Sequence, residues 1–186
     1  MRKRKKGSFF IIWIGLIILV FSFLYVVALN YSHLEYKSEI IKYAKERGVE
    51  PALIASVIKT ESNFQKAVIS SKGAQGLMQI TPDTEIWISE QLGEPYKPKK
   101  MLDPESNIRY GSWYIKYLIE KYDGNKNLAI LAYNAGYRNV DKWISDGKIT
   151  GRFLEFQMIP YKETRNYLIK TRIHSFLYKY LYDWKS

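Results

Sequence analysis

From residue 9 to residue 29 the chain carries no charged side chain over 21 positions. At a rise of 1.5 Å per residue such a stretch makes a helix of about 31 Å, close to the thickness of a bilayer's hydrocarbon core. Trp13 and Tyr25 stand toward its two ends, where interfacial aromatic residues sit. The pattern predicts a single N-terminal transmembrane helix that is retained as a signal anchor. A cleaved signal peptide is the weaker reading. Its apolar region usually spans about 7–15 residues and ends in a small-residue site, which Val27-Ala28-Leu29 matches poorly. A soluble core helix is seldom free of charge for so many turns.

Beyond residue 30 the apolar positions recur at helical spacing. Tyr36, Ile40, Ile41 and Ala44 share one face, and Arg47-Gly48 supplies a basic last turn and a stop. Pro51 opens the next helix, whose stripe is Leu53, Ile54, Val57 and Ile58. A Gly-, Ser- and Lys-containing stretch from Ser70 to Gly76 breaks the pattern. A short helix is expected over Thr84 to Leu92, followed by a loop from Gly93 to Pro98. Asp103-Pro104 begins a long helix that carries Ile108, Gly111, Ile115, Leu118, Ile119 and Tyr122 and ends at Asp123-Gly124. Leu128 to Tyr133 is apolar all round, as in a buried central helix. Helices over Val140 to Asp146 and about Lys162 to Tyr182 complete the set. No period-2 alternation is sustained, so residues 30–186 are expected to form an all-α domain.

Charge sharpens the topology. The chain has 29 basic and 18 acidic residues, a net of +11, and five of the basic residues are Arg2-Lys3-Arg4-Lys5-Lys6. The positive-inside rule places residues 1–8 in the cytoplasm, residues 9–29 in the membrane and residues 30–186 outside it. The five charges therefore set orientation and say nothing about a ligand. The remaining +6 on the outer part suits an anionic cell-wall polymer or lipid head groups, and it suits a merely solvated face equally well. Nucleic acid binding rests on charge alone and loses its support once the domain is extracytoplasmic.

Composition excludes several chemistries. Without Cys there is no disulfide, thiol nucleophile, thiolate metal site or lipoprotein acylation. His33 and His174 are 141 positions apart, so a His-based metal site is not expected. No Gly-rich phosphate loop is present. Carboxylate chemistry remains, and one carboxylate is unusually placed. Glu61 follows Val57 by four residues and Ile58 by three, so it continues the apolar stripe. Loss of hydration there favours the protonated form that a general acid needs. The same position is open to a structural Glu paired with Lys or Arg, or to a surface Glu at a frayed helix end.

The neighbourhood of Glu61 adds a resemblance. Glu61-Ser62-Asn63-Phe64 is followed by Ser71-Lys72-Gly73-Ala74-Gln75-Gly76-Leu77-Met78-Gln79-Ile80-Thr81-Pro82. Then come Asn107-Ile108-Arg109-Tyr110-Gly111 with Tyr114, Ala132-Tyr133-Asn134-Ala135-Gly136, and Glu163-Thr164-Arg165-Asn166-Tyr167. This ordered set, spanning about Ile40 to Tyr167, resembles the catalytic domain of the soluble-lytic-transglycosylase family, similar in fold to goose-type lysozyme.

The resemblance implies a lysozyme-like helical domain that cleaves peptidoglycan glycan strands without a cofactor or metal. It implies that Glu61 is the single catalytic acid/base. Gln79 and the backbone of Met78 would line the sugar groove, and Ser71 would lie near the catalytic carboxyl. Tyr133 and Asn134 would face the sugar at the cleavage point. Glu163 would be a second acid that binds substrate, and Tyr167 part of the cleft wall. Each has a plainer reading: Gln79 as a solvated amide, Tyr133 as a core aromatic, Glu163 as a carboxylate favoured in the first turn of the last helix. The implied reaction leaves a 1,6-anhydro-muramyl end. Lysozyme-type hydrolysis of the same bond and a non-catalytic wall-binding module are the alternatives.

Overall fold

The computed structural model describes residues 4–152 and 157–185. The chain divides into two compact units, Met1–His33 and Leu34–Ser186. The first is a single helix, α1 (Arg4–Tyr31), of 28 residues. Within it Phe10–Leu29 is long and apolar enough to cross a membrane by length and composition, and none of that segment is buried.

The second unit contains seven α-helices among the described residues: α2 (Lys37–Arg47), α3 (Pro51–Ser62), α4 (Pro82–Leu92), α5 (Pro104–Lys121), α6 (Lys126–Ala135), α7 (Tyr137–Ser145) and α8 (Lys162–Leu181). Among these residues there is no strand, only isolated antiparallel bridges Ile69–Gln75 and Gln75–Ile80. The fold is all-α, as the apolar periodicity predicts. Helix starts follow local chemistry. Thr81 accepts a hydrogen bond from the Thr84 N–H and Asp103 from the Ser106 N–H, each followed by a proline whose missing N–H costs nothing there. Asn125 caps α6 through the Asn127 and Leu128 N–H groups.

Two helix starts and one added element differ from the sequence pattern. The fourth helix begins at Pro82, not Thr84, because Thr81 is the cap. The seventh begins at Tyr137, not Val140, because Gly136 (φ 83°) turns the chain from α6 directly into α7. A short 3₁₀ turn, Lys100–Leu102, precedes α5 where no element is expected. The loop before that turn is held down by charge. The Arg109 guanidinium grips the Glu94 carboxylate with both nitrogens, and Lys100 and Tyr110 donate to Glu94 at 3.0 and 2.9 Å. These donors hold the Glu94 carboxyl well below the usual carboxylate range, Arg109 foremost.

Helix α3 is the spine of the domain. Residues 52–58 are all buried, and α8 lies along it, with α2 and α5 also in contact. Helix α6 fills the space between α5, α7 and α8, with residues 128–132 buried. The segment between α3 and α4, residues 63–81, is long and irregular, and it must bury its own backbone polar groups. Gly76 (φ 73°) is essential to it. A Cβ there would collide with the Met101 carbonyl oxygen and the Asn107 amide, whereas a Cβ on Gly48, also left-handed at φ 64°, meets nothing within 4 Å. Gly48→Ala is therefore expected to cost about 1 kcal/mol, the backbone strain alone. Gly76→Ala adds overpacking and is expected to cost about 3 kcal/mol. Urea denaturation of the two variants checks the difference; equal losses would contradict the packing described.

Candidate active site

Helix α3 turns Ile54, Val57 and Ile58 into the core, and Glu61 follows on the same face in the last turn. The helix then stops at Asn63, which takes a left-handed conformation (φ 52°). Part of the Glu61 residue remains open to solvent, but its carboxyl is pushed up to about 7. Lost hydration is the main cause, and the charge of Glu163 adds to it. The Tyr167 hydroxyl works the other way. It is buried close enough to Glu61 to favour the carboxylate, although it has no aligned hydrogen-bond partner. Burial, and then the charge of Glu61, hold the Tyr133 and Tyr167 hydroxyls in their neutral form.

Helix α8 supplies one wall. Glu163, Tyr167 and Thr171 recur at intervals of four, so they share a face. Thr171 Oγ1 donates to Thr60 Oγ1 at 3.3 Å, which registers that face against the end of α3. Glu163 itself is exposed and acts on Glu61 through charge rather than through contact.

The second wall is the loop 75–80, fixed by three helices. From α3, Ser62 Oγ donates to the Leu77 carbonyl at 2.7 Å. From α5, Asn107 Oδ1 accepts from the Met78 N–H at 2.7 Å, while its Nδ2 donates to the Gln75 and Met101 carbonyls at 2.9 and 2.8 Å. From α6, the Tyr133 hydroxyl donates to the Met78 carbonyl at 2.8 Å. The Gln75 carbonyl also accepts from the Ile80 N–H at 3.1 Å, and the other bonds supply side-chain partners to buried backbone groups. Gly111 on α5 leaves room for the Met78 side chain, since a Cβ at 111 would collide with its sulfur.

Gln79 sits at the end of this loop in a left-handed conformation (φ 48°). Its Nε2 donates to the Val68 and Gly76 carbonyls at 3.1 and 2.9 Å. The amide nitrogen is thus committed to the loop, and the oxygen is the atom left to meet a ligand. Gln79, Tyr133 and Asn134 line one cavity of about 240 Å³, together with Thr81, Thr84 and Tyr114. Met78 is fully buried, with its N–H and carbonyl taken by Asn107 and Tyr133, and it is not part of the lining of this cavity. Ser71 is exposed on the turn, and no described hydrogen bond ties it to this group. Its neighbour Ser70 is half-buried, and its hydroxyl accepts from the Ala74 N–H at 3.0 Å. Among the described residues no group of three or more His, Cys, Asp and Glu side chains could hold a metal ion.

Two positioning residues escape a reading by residue type. Ser62 looks like an ordinary helix-end serine. Asn107 had a signal, because an amide at the start of the apolar stripe of α5 has to find buried partners.

Comparison with known proteins agrees with this geometry. The model of the transglycosylase SLT domain matches residues 38–154. The soluble lytic murein transglycosylase of Salmonella typhimurium is 31% identical over 158 residues, covering 82% of this chain and 24% of the relative. The membrane-bound lytic murein transglycosylase C of Histophilus somni is 34% identical over 154 residues, covering 70% of this chain and 42% of the relative. The crystal structure of the 70 kDa soluble lytic transglycosylase of Escherichia coli superposes with a TM-score of 0.75 at 28% identity, over 80% of this chain and 24% of that one. The lytic transglycosylase of Pseudomonas aeruginosa, solved as an inactive mutant, gives a TM-score of 0.71 at 29% identity, over 77% of this chain and 24% of that one. The chain spans about a quarter of the length of the soluble relatives that it matches.

The raised pKa of Glu61 has a stability consequence. Between pH 4.5 and about 7 the unfolded chain has released this proton while the folded chain keeps it, so Glu61 makes stability fall as pH rises through that window. Glu61→Gln removes the cost. It is expected to be more stable than the parent by about 2 kcal/mol at pH 8 and to lose that advantage near pH 4.5. Chemical denaturation of both proteins at the two pH values is the check, and a difference that does not vary with pH would contradict the burial of this carboxyl.

Proposed function

The chain belongs to the transglycosylase SLT domain family, and on that basis we propose that it is a peptidoglycan lytic transglycosylase held at the membrane by α1. The observation that carries the proposal is Glu61, a carboxyl with a pKa of about 7 whose charge reaches the Tyr133 hydroxyl, Tyr133 in turn lining a cavity with Gln79 and Asn134. A carboxyl that is half protonated at neutral pH can give a proton and take one back in a single turnover.

In the reaction proposed, Glu61 protonates the oxygen of the β-1,4 bond between N-acetylmuramic acid and N-acetylglucosamine. The C1–O bond breaks, and the substrate's own N-acetyl oxygen stabilises the positive charge at the anomeric carbon. A second protein carboxylate on the opposite face is then unnecessary, as in substrate-assisted glycosidases. Glu61, now a carboxylate, takes the proton from the C6 hydroxyl, whose oxygen closes on C1 to give a 1,6-anhydro ring. No water is consumed, and Glu61 ends protonated as it began.

Burial raises the acid toward neutrality, and Tyr167, by favouring the carboxylate form, and Glu163, by opposing it, adjust it in opposite senses. The Gln79 amide oxygen and Asn134 are assigned to the sugar's hydroxyl and N-acetyl groups. Tyr133, tied to the Met78 carbonyl, fixes the loop against the reacting bond. The basic residues 2–6 assign the N-terminus to the cytoplasm and the catalytic domain to the wall side. Membrane-bound relatives of transglycosylase C type support the anchored reading.

Purified Glu61→Gln protein is expected to fold and to lose roughly 10³-fold in cleavage of isolated sacculi. Mass spectrometry of the released muropeptides from the parent should show anhydro ends, one water lighter than hydrolysed ends. The parent's rate should fall as pH rises above about 7, where Glu61 loses its proton. Retained cleavage by Glu61→Gln would overturn the assignment of the acid, and reducing ends in place of anhydro ends would make the enzyme a lysozyme-type hydrolase.

A further inference from the structure

Helix α2 turns Ile40, Tyr43 and Ala44 into the core. Lys37, Ile41 and Lys45 recur at intervals of four along its open flank. That flank and the segment after α8 line two adjoining cavities of about 580 and 390 Å³, which share Ile41, Lys45 and Lys185. Lys37 and Lys42 also line the larger, and Pro51 and Trp184 the smaller. No acidic side chain lines either one, and the two acids of α2, Glu39 and Glu46, stand outside both. Trp184 is half-buried and held in place, since its Nε1–H donates to the Tyr178 carbonyl at 2.9 Å.

The fold does not account for these lysines. Lys42 pairs with Glu105 at 2.7 Å. No ion pair to Lys37, Lys45 or Lys185 is found among the described residues, and all three are exposed. Like charges gathered without a counter-charge repel one another. Lys37 also opens α2, where a cation opposes the helix dipole. Lysines set around a tryptophan, an isoleucine and a proline match a surface that is anionic outside and apolar just beneath, as the headgroup layer of a bilayer is. A soluble polyanion would meet the lysines and leave the apolar positions unused. The covalent chain narrows the choice further. Only residues 30–36 separate the apolar stretch Phe10–Leu29 from Lys37, a reach of at most about 25 Å.

We propose that this flank of α2, with Trp184 and Lys185, docks the catalytic domain on the anionic phospholipid headgroups of the membrane that α1 spans. The inference rests on the reading of α1 as a membrane span. Lys37, Lys45 and Lys185 meet lipid phosphates as point charges, which need no fixed geometry. Trp184 and Ile41 sit at the level of the headgroups. The sugar groove stays clear of the lipid. Pro51 opens α3 beside Trp184, whereas Glu61 lies ten residues farther along the same helix, a path of about 15 Å. Docking therefore orients a tethered domain without occupying its cleft.

The chain has no Cys, so Ser38→Cys supplies a single site for a fluorophore on this face. The full-length labelled protein is reconstituted in vesicles of phosphatidylcholine alone, or with about 30% phosphatidylglycerol. Both carry a lipid with a nitroxide headgroup that quenches the label on approach. Quenching is expected to be stronger with phosphatidylglycerol and to fall to the phosphatidylcholine level at high salt. Each lysine near an anionic surface is worth about fivefold in the ratio of docked to undocked protein. Lys37→Gln, Lys45→Gln and Lys185→Gln together should lower that ratio about a hundredfold and remove the difference between vesicles. The same three positions changed to Arg should keep it, as should Lys66→Gln, Lys97→Gln and Lys170→Gln, an equal loss of charge at exposed residues outside the two cavities. Circular dichroism confirms that each variant is folded. Docking is overturned by equal quenching in the two vesicles, by a difference that survives the first Gln set, or by one that the second Gln set removes as well. Equal quenching together with a response of the label to soluble polyphosphate would assign the lysines to a soluble polyanion instead. The anchor is tested separately. Protein stripped from both vesicles by alkaline carbonate means that α1 does not span, and docking falls with it; protein that resists carbonate yet quenches equally sinks docking alone.

Discussion

A carboxyl group on the buried face of an apolar helix loses the water that makes its charge favourable, and the domain is built around that loss. Helix α3 is almost entirely buried from residue 52 to residue 58, and Glu61 inherits the direction of that face one turn later. A lone charge there would be costly; the group instead titrates near neutrality. Two side chains of α8 then adjust it in opposite senses, Glu163 by repulsion and Tyr167 by its hydroxyl. The chemistry assigned to the site needs that compromise, since a carboxyl that is always charged cannot act as an acid and one that is always neutral cannot recover the proton.

The second constraint is backbone satisfaction. The loop from Gln75 to Ile80 buries its own amide and carbonyl groups beside the acid, and Ser62, Asn107 and Tyr133 pair them from three helices. Ser62 belongs to α3 itself, Asn107 to α5, which packs on α3, and Tyr133 to α6, which packs on α5 and α8. The position of Gln79 relative to Glu61 is therefore a property of the whole helical packing. This explains why a glutamine with its nitrogen bound inside the loop can still present a defined oxygen to the cavity.

Much of this was legible in the sequence. Helices follow from apolar spacing and from Asp, Thr, Asn and Pro at their starts, and Glu61 is visible as a polar residue on an apolar stripe. What was not legible arises from distance in sequence. Asn107 and Met78 are 29 residues apart, and Tyr133 and Met78 are 55 apart, so no local pattern pairs them. The short 3₁₀ turn before α5 depends on Lys100 reaching Glu94 and Tyr110, again a tertiary effect. Ser71 lies exposed on the turn, which the neighbouring Ser70 closes by accepting from the Ala74 N–H.

The charge of the chain falls in two parts: five basic residues stand at positions 2–6, ahead of the apolar stretch of α1, and the rest of the chain carries a net of +6. The central claim concerns a single proton, and it can be observed directly. Carbon-detected NMR of protein labelled at the glutamate carboxyl carbon, with Glu61→Gln to assign the resonance, follows the titration of that one group. A midpoint close to 7 is predicted; a midpoint near the ordinary glutamate value of 4.5 would contradict the account.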